Sequence, residues 1–181
     1  MEEHLGSFHV ELIRSRTANV MNDRLLLAGM LSSATLINRF FPTGQVYKEF
    51  YKSSENLFDL LQFPDIWTLG YFKWELEFLE TLGFGLDLEK CAVTGSTEDL
   101  KFISPKSGRA VSKDAAGDWS SKLLPFPIAA SGHVNSLEDV LDGLKVSQFF
   151  LEKKVLIAFG MEHLPSARSR FISSLERKIN N

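Results

Sequence analysis

Apolar residues recur at intervals of three and four along most of this chain, the signature of helices that bury one face. The first such run covers about residues 15–41. Val20, Arg24, Leu27, Leu31, Thr35 and Leu36 form its stripe, broadened by Leu25, Leu26, Met30 and Ile37. Pro42-Thr43-Gly44 ends it, because proline lacks a backbone donor and glycine permits the turn. A second helix is expected over 45–62, with Val46, Phe50, Leu57, Phe58 and Leu61 inward. Pro64-Asp65 opens a third that extends to about Leu82. It carries Trp67, Tyr71, Trp74 and Phe78 on one stripe and Leu69, Phe72, Leu76 and Leu79 on the next. So wide an apolar surface predicts a central, mostly buried helix. Lys73, Glu77 and Glu80 share its remaining polar face.

The period then changes. Gly83-Phe84-Gly85 stops the third helix, since glycine accepts the left-handed geometry of a helix stop. Glycines at 95 and 108, with short apolar pieces such as Phe102-Ile103, predict a small β-ribbon over 93–111. Pro125-Phe126-Pro127 marks a break. Ser136-Leu137-Glu138-Asp139 reads as a helix start, with a serine cap and acids in the first turn. That helix is expected to reach about Phe159, where Gly160 and Pro165 close it, and a last helix covers about 166–179. Ahead of all these, Phe8, Val10 and Leu12 alternate with His9 and Glu11. A period of two predicts a strand over Ser7 to Ile13. One strand cannot stand alone, and no partner follows nearby.

The chain has 181 residues, 44% hydrophobic and 24% charged, with fifteen Phe and three Trp. This is an ordinary globular composition with ample area for a core. No run of about 18 uncharged apolar residues marks a membrane span. The acidic start Met1-Glu2-Glu3-His4 is not a secretory leader. A single cysteine, Cys91, excludes an internal disulfide framework and suits a cytoplasmic setting. The net charge of −3 argues against a general nucleic-acid binder. Its distribution does not. From Lys145 onward seven Lys or Arg stand against three acids, a surplus of four, so the remainder carries −7.

Three candidate chemistries follow. Cys91 as a nucleophile needs a base, and no His lies within forty residues of it in sequence. Glu75, Glu77 and Glu80 could form a metal site or an acid–base pair, but helical spacing puts Glu75 on a different face from the other two. A solvated face is the expectation for them. No phosphate-binding loop is present. In the last helix Phe171, Ile172, Leu175 and Ile179 share one face, and Arg168 points the same way. Its expected role is structural, as a buried ion pair or a carbonyl cap. Arg170 and Arg177 lie on the opposite, solvent face. Arg170, Arg177 and Lys178 are therefore candidates for phosphate contacts, and Lys153 and Lys154 on the preceding helix could extend the patch.

Four ordered cues resemble the bacterial RecO family, in its alphaproteobacterial form. They are the strand into Glu11-Leu12-Ile13 followed by a long helix, the run Leu82-Gly83-Phe84-Gly85-Leu86-Asp87-Leu88 with Cys91-Ala92-Val93-Thr94-Gly95, the run from Phe102 to Val111, and Leu164-Pro165-Ser166-Ala167-Arg168. The second and third are the specific ones. The resemblance implies a mainly α fold: a RecO-like C-terminal helical bundle over 15–181 with a degenerate zinc-finger-like insert over 91–116. Residues 1–14 would then be the remnant last strand of an OB fold, which needs five strands. It implies no catalytic residues and a non-enzymatic recombination mediator, cytoplasmic and associated with the bacterial nucleoid. The implied partners are single- and double-stranded DNA, RecR, and the acidic C-terminal tail of single-stranded-DNA-binding protein, with RecA loading as the outcome. A pure protein-interaction domain is the alternative. Two features depart from the family. Only about one strand precedes the first helix, so the OB fold is expected to be incomplete, and the zinc site is expected to be absent. A structural zinc needs four Cys or His, yet position 94 is Thr and 112–116 hold neither. No metal or other cofactor is expected, and Cys91 reads as a former ligand. For the acidic tail, Phe58 and Leu61 are the candidate pocket and Lys73 the candidate cation.

Overall fold

The computed structural model describes residues 7, 9–12, 15–16, 20–132 and 136–181. Seven α-helical segments and a three-stranded sheet make up this part. They are α1 (Arg24–Phe40), α2 (Lys48–Asp59), α3 (Pro64–Thr81), β1 (Leu100–Ile103), β2 (Ala110–Ser112), the single turn α4 (Lys113–Ala116), β3 (Leu124–Pro125), α5 (Leu137–Phe150), α6 (Leu156–Ala158) and α7 (Ser166–Ile179). The architecture is mainly α, as expected.

Helix α3 is the axis of the bundle. Trp67, Tyr71, Phe72, Trp74, Phe78 and Leu79 are all buried. Tilted ring contacts run along it from Trp67 through Tyr71 and Trp74 to Phe78, with centroid spacings of 5.5 and 5.6 Å. Phe171 of α7 closes on Tyr71 at 4.4 Å, and Phe50 of α2 packs on Trp74 at 5.5 Å. The two indole N–H groups are satisfied inside this core, by Leu57 O at 3.0 Å and Ser54 Oγ at 3.0 Å. Phe40, in the last turn of α1, meets both Phe78 and Phe159. The carboxy ends of α1, α3 and α6 therefore converge at one end of the bundle. Helix α7 starts at that end and runs antiparallel along α1: its first turn lies beside Arg39, and Phe171 reaches Gly29.

The details of α1 differ from the expected stripe. It begins at Arg24, because the Asp23 carboxylate accepts hydrogen bonds from the Leu25 and Leu26 N–H groups and so forms a cap. Its buried face is Leu25, Leu26, Gly29, Ser32, Ser33, Leu36 and Phe40, whereas Arg24 is exposed and Leu31 is 46% exposed. Two small residues and a glycine face inward because large rings occupy the space opposite. A Cβ at Gly29 would sit 2.2 Å from the Trp67 ring. Val46 is likewise 85% exposed rather than inward.

Ser136 and Asp139 form a reciprocal capping box at the start of α5. The expected long helix to 159 is interrupted by a π-helical turn over Leu151–Val155. In this wider turn Leu151 and Val155 stay buried while Lys153 faces solvent.

The insert is a sheet in the order β2-β1-β3, antiparallel throughout. The ribbon expected over 93–111 holds β1 and β2; the third strand, Leu124–Pro125, runs into the segment read as a break. Proline is tolerated there because β3 is an edge strand whose missing N–H would point outward. Cys91, Val111 and Ala116 form a small core of their own, flanked by Leu100, Phe102 and Leu123. Ser7 and residues 9–12 lie outside any strand, with Val10 86% and Leu12 81% exposed, while Phe8 and Ile13 lie outside the described residues.

Candidate nucleic-acid interface

The candidate interface lies on α7, and the rotation of α7 is set by one buried ion pair. Arg168 is 2% exposed and Glu75 0%. Arg168 donates from Nε to Glu75 Oε2 and from Nη2 to Glu75 Oε1, both at 2.7 Å. The same guanidinium donates to Leu144 O at 2.9 Å and Gln148 Oε1 at 3.2 Å. It is thus both the ion pair and the carbonyl cap that the sequence left as alternatives. Ser147 Oγ and Tyr71 OH complete the carboxylate, at 2.5 and 3.3 Å, and Ser32 Oγ shares a 2.7 Å hydrogen bond with Tyr71. Four helices, α1, α3, α5 and α7, meet in this network. Burial disfavours the Arg168 cation, but Glu75 outweighs it and holds the guanidinium more firmly protonated than usual. Burial, then the Glu75 charge, push the Tyr71 phenol well above its ordinary value, so it remains a donor.

This corrects the expectation for Glu75. It is no solvated carboxylate; Glu77 and Glu80 are the exposed pair. The helical period separated Glu75 from them correctly, but the face it points to contains Arg168, 93 residues away in sequence.

With Arg168 inward, Arg170 and Arg177 are outward and exposed, as is Lys178. Arg170 Nη1 is held by Ser166 Oγ at 2.9 Å, and Arg177 Nε by Ser173 O at 3.1 Å. Lys153 is exposed and Lys154 half-buried. Among the described residues none of these five cations forms an ion pair. The structure groups them unevenly. Lys153, Lys154 and Arg170 lie toward the end where α1, α3 and α6 converge. Arg177 and Lys178 lie about two turns along α7, roughly 10 Å further. Lys154 also lines a shallow cleft of about 180 Å³ with Lys106, between the Gly83–Gly85 turn and the Ser107–Gly108 turn. Lys106 was not among the sequence candidates. Its signal was its place at the tip of the Ser104–Gly108 turn, where Gly108 adopts φ +70 and its N–H bonds Ser104 O at 2.8 Å.

The three residues proposed for an acidic tail are not gathered into one pocket. Phe58 lines an open apolar pocket of about 340 Å³ between α1 and α2, with Phe41, Tyr47, Phe50 and Tyr51. Leu61 is 1% exposed and belongs to the core. Lys73 is exposed on α3 and is not part of that pocket's wall. The charged group at the wall is Glu55, which Arg16 engages through two hydrogen bonds of 3.0 Å.

In the small core beside the sheet, Cys91 Sγ accepts from Ser112 N at 3.3 Å and Ser112 Oγ at 3.4 Å. Burial pushes the thiol up, but hydrogen bonds from Ser112 and Thr94 outweigh it and bring it down to about 6. Among the described residues no three His, Cys, Asp or Glu are placed to hold a metal ion, and no helix is long and apolar enough to cross a membrane.

Residues 21–160 match the family model described as Recombination protein O C terminal. The chain belongs to the RecO family. Over 181 residues it is 44% identical to the DNA repair protein RecO of Ruegeria sp. (strain TM1040), covering 99% of this chain and 75% of that protein. It is 42% identical to that of Jannaschia sp. (strain CCS1), over 99% and 73% of the two chains. It is 40% identical to that of Roseobacter denitrificans (strain ATCC 33942 / OCh 114), over 99% and 75%. No solved structure matches it. The RecO family places the chain in DNA repair and recombination. The matched segment contains the whole bundle up to Gly160, including Glu75, whereas α7 and its Arg168 follow it.

Proposed function

We propose that this RecO-family chain is a non-enzymatic mediator that binds DNA through the basic face set by α5–α7 and holds partner proteins on the same bundle. The observation that carries the reading is the set of outward cations, Lys153, Lys154, Arg170, Arg177 and Lys178, left without ion-pair partners among the described residues. On an otherwise acidic chain, unpaired cations at one end and along one helix offer phosphate contacts whose affinity falls with salt. The acidic, aromatic-ended tail of single-stranded-DNA-binding protein is the proposed peptide ligand. The aromatic pocket at Phe58 would take its apolar end, with Lys73 as the outlying cation and Leu61 as support from behind. RecR and single- and double-stranded DNA complete the partner set, and RecA loading is the outcome of bringing them together.

Fluorescence-polarisation titrations of a single-stranded oligonucleotide and of the tail peptide, at low and physiological salt, test the reading. Oligonucleotide binding should show a log–log salt slope of about −0.7 per phosphate contacted, and Lys153→Glu/Lys154→Glu should flatten it. Peptide binding should be lost in Phe58→Ala and weakened in Lys73→Glu. Peptide binding without oligonucleotide binding would favour the protein-interaction domain. Binding of neither would remove the mediator reading for this chain.

A further inference from the structure

A second cavity lies at the converging end of the bundle, between the last turn of α1 and the first turn of α7. Its volume is about 360 Å³, and its wall includes Arg39, His163, Pro165, Ser166 and Arg170. Three separate segments deliver the polar groups: α1 brings Arg39, the loop after α6 brings His163, and α7 brings Ser166 and Arg170. All four are exposed. Arg39 and His163 make no hydrogen bond or ion pair with any described residue. Arg170 is already steered over the cavity by its 2.9 Å hydrogen bond to Ser166 Oγ. No carboxylate lines the wall. The first turn of α7 carries no acidic residue and no side-chain cap, and a helix amino terminus favours an anion.

We infer that this cavity is a phosphate site for the nucleic-acid backbone, with Arg39 and Arg170 as a two-sided clamp and His163 and Ser166 as further hydrogen-bonding groups. The inference deepens the DNA-binding reading above and rests on it. Two guanidinium forks facing one anion suit a phosphodiester, which offers oxygens on both sides. The cavity wall has no Phe, Tyr or Trp, unlike the pocket at Phe58. That contrast favours a phosphodiester over an aromatic-ended acidic peptide. The site also gives the buried ion pair a functional consequence. Arg168 fixes the roll of α7, and two residues later Arg170 is aimed into the cavity.

The test uses the full chain and a single-stranded oligonucleotide, with Arg39→Gln, Arg170→Gln and, as control, Arg24→Gln. Arg24 removes the same charge from the other end of α1, roughly 22 Å away. Losing one charge-assisted contact should weaken oligonucleotide binding about tenfold in each of the first two variants and leave the control at the wild-type affinity. Inorganic phosphate should shift the His163 ring resonances in wild type, and less in Arg39→Gln. Wild-type oligonucleotide binding that all three variants retain, or lose equally, would overturn the site while leaving the DNA-binding reading intact. If the wild type binds the tail peptide or free phosphate here but not the oligonucleotide, the nucleic-acid assignment fails together with the broader reading.

Discussion

Replacing Arg168 by Ala should be the most damaging single change away from the surface. The variant strands the Glu75 carboxylate, 0% exposed, with only Ser147 and Tyr71 as donors among its described partners. Two charge-assisted hydrogen bonds of 2.7 Å disappear, each contributing about 1.5–3 kcal/mol. Leu144 O and Gln148 Oε1 lose a donor as well. Breaking one side of a buried pair costs about 3–5 kcal/mol, and the bond count supports about 4 kcal/mol. For a chain of this size that lowers Tm by about 8–16 °C. Urea unfolding followed by tryptophan fluorescence reads it directly, because Trp67 and Trp74 are 0% and 2% exposed in the same core while Trp119 is 65% exposed. The cost belongs to an unpaired charge rather than to a missing favourable pair. Glu75→Leu combined with Arg168→Met should therefore be less destabilised than either single variant. A loss below about 1 kcal/mol for Arg168→Ala, or a double variant no better than the singles, would refute this account.

Two further outcomes are expected. Gly29→Ala places a Cβ 2.2 Å from the ring of Trp67, which is fully buried and hydrogen-bonded to Leu57 O. The ring cannot swing aside, so overpacking should cost about 3 kcal/mol despite alanine's better helix propensity; thermal unfolding checks this, and an unchanged midpoint would show that α1 slides to make room. Cys91 has a folded-state value of about 6, below its ordinary 9.0. A depressed acid stabilises above its unfolded value and loses that contribution as pH falls through the folded one. Stability should thus rise between about pH 6 and 9, and the rise should vanish in Cys91→Ser. Thiolate ultraviolet absorbance with a midpoint near the ordinary value would sink the prediction.

What the sequence determined by itself was local. The bounds of α3 and α7 were readable at 64–82 and 166–179, because a period near four and the Pro64 and Pro165 boundaries act within a few residues. The cap at Ser136 was legible for the same reason. So was the inward direction of Arg168, fixed by its spacing from Phe171 and Leu175. The tertiary structure decided everything that needed a partner far along the chain. Glu75 looked like any helix-surface acid because its burial depends on a guanidinium 93 residues away. Gly29, Ser32 and Ser33 broke the apolar stripe of α1 because the rings that claim their space belong to α3 and α7. β3 was hidden in a Pro-Phe-Pro segment, since an edge strand needs only the neighbour that β1 provides. The Arg39–Arg170 cavity exists because α1 ends where α7 begins. Hydrophobic periodicity acts through the bonds of one helix, whereas charge burial and cavities arise where separate helices come into contact.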